Sequence, residues 1–323
     1  MKPLIKRIIS ITLLIVILGL FIFYISKHIS DFKQIRLINP LWLIPLIILF
    51  LLNYFFIGVQ TKVLLEPLGV KLKNLEVYML SIVTGFYNII TPAHGGMAVR
   101  AVYLKKKHNF SYINFISSLA GMYVITFFIG SLFGLISLFS IYKVYGFFNW
   151  IIFFVFLGLF IPLILIMIFS PEFKESKHKF LNNFIKVANG WSIIRKNKKV
   201  VWSCLFFTLI MLIILTTIQI LSYHIFGINL SFIQGLFLAT IGGIAILIQI
   251  TPGNLGVSEA VAVFSALIIG ITPAQSLSVA ILGRVVQMLV MFTLGPIFSY
   301  ILLKHKPKTG EINEPKNQTD NTK

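Results

Sequence analysis

Two similar turns interrupt apolar sequence, and charged residues follow each of them. TPAHGG at 91–96 precedes Arg100, and TPGNLG at 251–256 precedes Glu259 and Arg284. A helix that begins after such a turn presents unpaired backbone N–H groups and the positive end of its dipole, which bind anions such as phosphate. We therefore predict an anion-binding substrate site made of nine residues: Thr91, His94, Gly96, Arg100, Thr251, Asn254, Gly256, Glu259 and Arg284.

Glu259 and Arg284 are charged residues inside apolar segments, where an ionised side chain is costly unless it is paired or hydrated. We expect them to face each other or a water-filled cavity. Two roles are open at this point. The pair either holds a hairpin against the last helix, or its opening couples to an anionic headgroup or to protons. We expect the double exchange, Glu259→Arg with Arg284→Glu, to restore folding but not transport.

Arg100 and His94 each allow two interpretations. Arg100 either binds an anion or begins the basic cluster that continues at Lys105, Lys106 and Lys107 and extends to lipid headgroups. His94 either titrates near neutral pH or serves as a hydrogen-bonding residue of the turn. The sequence favours neither role for Arg100, and it favours hydrogen bonding for His94.

Other site chemistries lack a sequence pattern. The chain has no glycine-rich phosphate loop of the Walker type, no metal-ligand spacing and no Ser/His/Asp grouping. Its single cysteine, Cys204, lies in an apolar run. We therefore expect no catalytic residues, no metal and no cofactor. An intramembrane enzyme is the least favoured of the functional classes, because no acid and base pair is evident beyond Glu259.

The composition is that of a membrane protein. Of the 323 residues, 58% are hydrophobic and 11% are charged, and the mean hydropathy is +0.94, which no soluble domain would tolerate on its surface. The net charge of +19 lies in short clusters between apolar runs and not on one amphipathic face. This arrangement indicates the basic loops of the cytoplasmic side and argues against a nucleic-acid partner.

The apolar runs predict an all-α polytopic fold of eight helices if each hairpin is scored as one. The runs long enough to cross a bilayer lie at about 8–26, 41–61, 112–140, 148–169, 200–224 and 275–303. Two further regions fit re-entrant hairpins: 77–90, which stops at the first turn, and the apolar runs 232–250 and 257–271, which the second turn separates. A broken helix of this kind needs protein or water around it. The loop charges place both termini on the cytoplasmic side of the cell membrane.

The two halves of the chain match each other. An offset of 160 positions, from 91 to 251, pairs Thr91 with Thr251 and Gly96 with Gly256, and it also superposes the crossings in order. Each half then contains three crossings and a hairpin, and the odd number inverts the second half. We predict a first repeat at 1–140, an inverted second repeat at 141–303 and a disordered polar tail at 304–323. Paired interrupted helices of this kind mark the binding sites of transporters.

At TPAHGGMAVRAVYLKKK and TPGNLGVSEA, followed by Arg284, the chain resembles the lysylphosphatidylglycerol synthase transmembrane family. The resemblance covers about 1–303. It implies a multi-pass protein that moves an aminoacylated or otherwise anionic phospholipid, or a lipid-linked intermediate, between leaflets. The alternative is an accessory or scaffold protein for a separate lipid-modifying enzyme or glycosyltransferase in the membrane, in which a lipid is held and not transported.

Overall fold

The structure is a computed structural model that describes residues 37–91, 94–146, 148–169, 174, 185, 191, 194–248 and 251–304. The predicted crossing at 8–26, most of the segment 170–199 and the predicted tail beyond 304 lie outside these residues. Within them the regular structure is helical and contains no strand, as the sequence predicts for an all-α membrane protein.

The described part of the chain contains nine α-helices. They are α1 Leu43–Leu65, α2 Asn74–Ile90, α3 Gly95–His108, α4 Tyr112–Tyr145, α5 Trp150–Phe169, α6 Lys198–His224, α7 Phe232–Ile244, α8 Val257–Ile268 and α9 Pro273–Lys304. Helices α1, α4, α5, α6 and α9 are long and apolar enough to cross a membrane. Five of the six predicted crossings are thereby confirmed.

Polar residues mark where the helices begin. The Ser111 side chain accepts a hydrogen bond from the backbone N–H of Asn114 at the start of α4. The Asn197 side chain accepts one from the backbone N–H of Val200 at the start of α6. Ser231 and Gln234 form a reciprocal capping box at the start of α7. Such caps satisfy N–H groups that would otherwise lack a partner in the first turn of each helix.

Large apolar side chains cover the outer surface. Ile113 is 77% exposed, and Trp202 and Phe169 are each 71% exposed. A water-soluble protein would not present such an unbroken apolar surface, whereas lipid is a suitable solvent for it. The outward faces of the long helices are therefore lipid-facing.

The two turns lie inside two helical hairpins, as predicted. The first hairpin consists of α2 and α3, and the second consists of α7 and α8, joined by short 3-10 helices at Ala245–Ile248 and Pro252–Asn254. Their helices contain 12 to 17 residues, fewer than the roughly 20 that cross a bilayer without a break. Both hairpins therefore contain a chain reversal between helices too short to cross a bilayer, and their re-entrant placement stays a prediction.

Helices of each half of the chain pack against helices of the other half. Helix α2 of the first half packs on α9 of the second half, while α7 of the second half packs on α4 of the first. Helices α1 and α6 also pack on each other. Two repeats related by a twofold axis would give this pattern, since the offset of 160 positions pairs α1 with α6, α2 with α7 and α4 with α9. The inversion of the repeats across the membrane and the boundary at 140 stay predictions.

Close packing inside the first hairpin depends on Gly96. A Cβ atom at this position would lie 2.0 Å from the Thr84 carbonyl oxygen and 2.7 Å from Asn88 Oδ1. Neither atom can move freely, because the carbonyl belongs to the backbone and the Asn88 amide oxygen accepts the Gly96 N–H. The glycine therefore sets the distance between α2 and α3.

We predict that Gly96→Ala lowers the free energy of unfolding by roughly 1–3 kcal/mol through overpacking. Gly130→Ala in α4 is the matched control, because a Cβ there would meet no atom within 4 Å, and it should be neutral or slightly stabilising. Thermal unfolding of both variants in the same detergent measures the difference. Equal stability of the two alanine variants would contradict the close approach of α2 and α3.

Candidate functional site

The two turns are in contact with each other. Helix α2 packs against the 3-10 segment Pro252–Asn254, and a Cβ at Gly253 would lie 3.3 Å from the Ile89 Cα. From the first turn, the His94 ring contacts the backbone of Ile246. We call this contact between the turns the junction. The substrate site that the sequence predicts from both turns stays a prediction.

Positive φ angles explain the residue types of the turns. Gly253 and Gly256 have φ angles of 58° and 81°, a region that glycine occupies without strain. His94 and Asn254 each have a φ of 58°, and asparagine and histidine are, with aspartate, the non-glycine residues enriched there. The sequence TPxxxG therefore folds as a chain reversal and not as a continuous helix.

Side chains near each turn bond to the freed backbone groups. At the first turn, Asn88 Oδ1 accepts the Gly96 N–H at 2.9 Å, and the Thr91 hydroxyl donates to the Tyr87 carbonyl. At the second turn, the Thr251 hydroxyl donates to the Leu255 carbonyl at 2.8 Å. Thr91 and Thr251 thus have structural bonds in this conformation, and their predicted role in substrate binding would need these bonds to open.

The two polar atoms of the Asn254 side-chain amide differ in their hydrogen bonding. Its amide Nδ2 donates to the Ala245 carbonyl at 3.2 Å. Its Oδ1 is buried and has no hydrogen-bond partner among the described residues. An unpaired buried acceptor costs roughly 1–3 kcal/mol, so such an atom is a candidate contact for a ligand that donates a hydrogen bond.

Arg284 of α9 connects to the second turn through three of its nitrogen atoms. Its Nη2 lies 2.7 Å from Glu259 Oε1 and 2.6 Å from the Ser258 hydroxyl, and its Nε lies 3.0 Å from the same Glu259 oxygen. Its Nη1 donates to the Gly253 carbonyl. The prediction that Glu259 and Arg284 face each other is confirmed. We call Gly253, Ser258, Glu259 and Arg284 the Arg284 cluster.

Glu259 also caps the N-terminal end of α8. Its Oε2 accepts the Gly256 N–H at 2.6 Å and the Ser258 hydroxyl at 3.1 Å. The carboxylate therefore occupies the positive end of the helix, where the sequence suggested a bound phosphate. An external anion would bind the Gly256 N–H only after Glu259 had moved.

The expectation that a charge exchange restores folding is not supported by this geometry. With Arg at 259 and Glu at 284, the Gly256 N–H would face a cation and the Gly253 carbonyl would face an anion. Neither backbone group would keep its partner, even though the two side chains would still carry opposite charges. The sequence missed this because it shows the charges and not the directional bonds around them. Ser258 was also missed, although its place in the first turn of α8 is a usable signal.

Arg100 is buried away from the Arg284 cluster. It is 2% exposed, so the interpretation that it extends to lipid headgroups is wrong. Its Nε lies 3.0 Å from the Thr84 hydroxyl oxygen, and its Nη1 lies 3.3 Å from that of Thr61. No carboxylate pairs with it among the described residues. A space of about 10 Å³, the size of one water, adjoins the guanidinium and Ser118.

The structure thus groups the predicted residues unevenly. His94 lies at the junction, and five predicted residues lie in the second turn, α8 and α9, at the junction or around the Arg284 cluster: Thr251, Asn254, Gly256, Glu259 and Arg284. Thr91 and Gly96 bond within the first hairpin, and Arg100 contacts α1 and α2. Within the described ranges, no three metal-ligating side chains come together.

Comparison with known families gives one result. A family model described as the lysylphosphatidylglycerol synthase TM region matches residues 5–295. Comparisons with curated proteins and with solved structures gave no match. The match covers both hairpins, the five described crossings over most of their length and the whole Arg284 cluster.

We predict that Arg284→Lys lowers the free energy of unfolding by about 1–3 kcal/mol, because lysine keeps the charge but cannot reach all three partners. Glu259→Gln should cost more, roughly 3–5 kcal/mol, since it leaves a buried cation without a counter-charge. Arg195→Lys is the matched control, because Arg195 is exposed. Thermal unfolding in detergent ranks the three variants. Arg284→Lys as stable as Arg195→Lys would show that the cluster does not hold the second turn.

Proposed function

The chain belongs to the lysylphosphatidylglycerol synthase transmembrane-region family, and from this premise we propose that it is a lipid flippase. Its substrate would be an anionic or aminoacylated phospholipid, or a lipid-linked intermediate, moved between the leaflets of the cell membrane. The family supports a membrane lipid-related role, and transport is the step that we add. The observation that carries it is the junction, where two interrupted helices meet inside an apolar protein.

Interrupted helices that meet in a membrane are a feature of transporters, because their freed backbone groups and helix ends can bind a polar ligand. At this junction the two hairpins meet through the His94 contact with the Ile246 backbone and the approach of Gly253 to Ile89, and the hydrogen bonds of the Arg284 cluster join the second turn and α8 to α9. An element that is held by a few directional bonds can change conformation when those bonds break. We propose that the hairpins separate here to admit a headgroup.

Arg100 is the proposed partner of the lipid phosphate. Among the described residues, this buried arginine bonds only to two threonine hydroxyls, and no carboxylate there balances its charge. Such residues inside a membrane protein are costly and mark functional sites by default. A phosphate would supply the missing counter-charge. Asn254 Oδ1, the free acceptor, would suit a hydroxyl or ammonium donor of a headgroup.

The proposed orientation places both termini, and Lys105, Lys106 and Lys107 at the end of α3, on the cytoplasmic side. The partners are membrane phospholipids, and a separate lipid-modifying enzyme would supply an aminoacylated substrate. We propose transport without a chemical step, and therefore assign no catalytic residue or cofactor.

An accessory role is the second candidate, and one observation favours it. The Arg284 cluster is well satisfied, with Arg284 and Glu259 side chains only 13% and 10% exposed, which suits a fixed structural element. In this case the protein would hold a lipid for an enzyme in the same membrane and would not equilibrate lipid between leaflets.

We predict that Arg100→Met abolishes transport without loss of stability. Methionine keeps much of the volume and removes the unbalanced charge. Thr84 and Thr61 also keep their own bonds to the Leu80 and Ile57 carbonyls. Reconstitution into liposomes with labelled phosphatidylglycerol in one leaflet measures transport, and thermal unfolding measures stability. Arg195→Met, an exposed position, is the matched control.

The outcomes separate the two candidates. The flippase and its phosphate site are supported if the wild-type protein and Arg195→Met equilibrate the lipid between leaflets and Arg100→Met does not. Equilibration by Arg100→Met at the wild-type rate would exclude Arg100 as the phosphate partner. No equilibration by folded wild-type protein with any anionic lipid tested would favour the accessory role.

A further inference from the structure

A cleft of about 420 Å³ lies between α2, α3 and α9, outside the junction. Its size falls within the roughly 300–1,000 Å³ that is typical of small-molecule sites. The lining residues are Leu80, Val83, Tyr87, Ala98, Val99, Val102, Tyr103, Lys106, Lys107, Ser299 and Leu302. Neither Arg100 nor any member of the Arg284 cluster lines it.

The cleft has a buried apolar wall and an accessible edge. Leu80, Val83 and Leu302 are 1%, 4% and 6% exposed, so they form the buried wall. Val102 is 40% exposed and lies at the edge. An occupant of this wall must be apolar along most of its length, and an acyl chain meets that requirement.

One part of the cleft is basic. Lys107 is held in place by Glu76 at 3.1 Å and by the Tyr103 hydroxyl at 2.8 Å. Burial alone would raise the pKa of Glu76, but hydrogen bonds from His108, Tyr103 and Lys107 lower it to about 2. Glu76 is therefore ionised at neutral pH and balances one cation of the cluster.

Lys106 is the unbalanced cation of the cleft. It is exposed and has no hydrogen bond or ion pair with another residue in the described ranges. Its neighbour Lys105 lies near Asn109 and does not line the cleft. The cleft therefore presents a net positive charge beside an apolar wall, which is complementary to an anionic amphiphile.

Ser299 adds a polar contact inside the cleft. Its hydroxyl is buried and has no partner among the described residues. Other helix serines of this chain, such as Ser81 and Ser278, donate to a carbonyl of the preceding turn. A free hydroxyl donor next to an apolar wall suits an ester carbonyl, the group that joins a phosphate-bearing headgroup to acyl chains.

We propose that this cleft is a binding site for one anionic phospholipid of the leaflet that Lys105–Lys107 faces. The phosphate contacts Lys106 and Lys107, an ester carbonyl accepts from Ser299, and one acyl chain lies on Leu80, Val83 and Leu302. A soluble anion would leave the apolar wall empty, and a neutral lipid would leave Lys106 unbalanced. The site does not depend on transport, because it is separate from Arg100 and the junction.

Native mass spectrometry of the delipidated protein in neutral detergent, titrated with phosphatidylglycerol or phosphatidylcholine, tests the proposal. The wild-type protein should bind one phosphatidylglycerol in the cleft, in addition to any bound at Arg100, and Lys106→Gln should weaken binding in the cleft about fivefold, the usual effect of one basic residue near an anionic lipid. Val102→Trp should abolish this binding by filling the cleft. Lys105→Gln and Ile113→Trp are the matched controls and should bind as the wild-type does.

Several results would overturn the site. Equal binding of the two lipids would remove the charge argument, and unchanged binding by Val102→Trp would place the lipid elsewhere. Displacement by glycerol 3-phosphate would show that the headgroup binds without the acyl chain. Arg100→Met separates this site from the proposed function, because it should bind phosphatidylglycerol in the cleft at wild-type strength whether or not transport is observed.

Discussion

Every backbone group freed by a helix break in an apolar layer must find a partner in the protein or in water held by it, because lipid offers none. Arg284 bonds to the Gly253 carbonyl, Glu259 to the Gly256 N–H, and Asn254 to the Ala245 carbonyl. At the first break, Asn88 bonds to the Gly96 N–H. The polar residues at the turns are therefore the condition under which two interrupted helices can exist in this protein.

The same constraint explains why α9 is central to the architecture. It carries Arg284, which bonds to the second turn, and it packs along α2, whose end forms the first turn. It also supplies Ser299 and Leu302 to the cleft. A movement of α9 relative to the hairpins would thus change the Arg284 cluster, the junction and the cleft together. In this way one long helix connects three features that lie far apart in the sequence.

The sequence predicted those features that depend on strong local signals. Apolar runs identified the five described crossings, and the TPxxxG turns located the hairpins. The pairing of Glu259 with Arg284 was predictable because an unpaired ionised side chain in an apolar segment is costly. Burial of Arg100 was not predictable, because it precedes three lysines and its partners are neutral threonines on other helices. The cleft was not predictable either, since three separate helices supply its walls and only tertiary packing brings Lys106 beside them.

The central claim is that the two turns meet, and crosslinking within the membrane tests it most directly. In a Cys204→Ala background, His94→Cys and Ile246→Cys can be joined by a short thiol-specific crosslinker, because the His94 ring contacts the Ile246 backbone. A protease site inserted in the chain between α5 and α6 then separates the halves under denaturing conditions unless a crosslink holds them. We predict that the halves stay together after crosslinking and separate in either single-cysteine variant. Complete separation of the doubly substituted protein, with both cysteines reactive towards a monofunctional reagent, would contradict the claim.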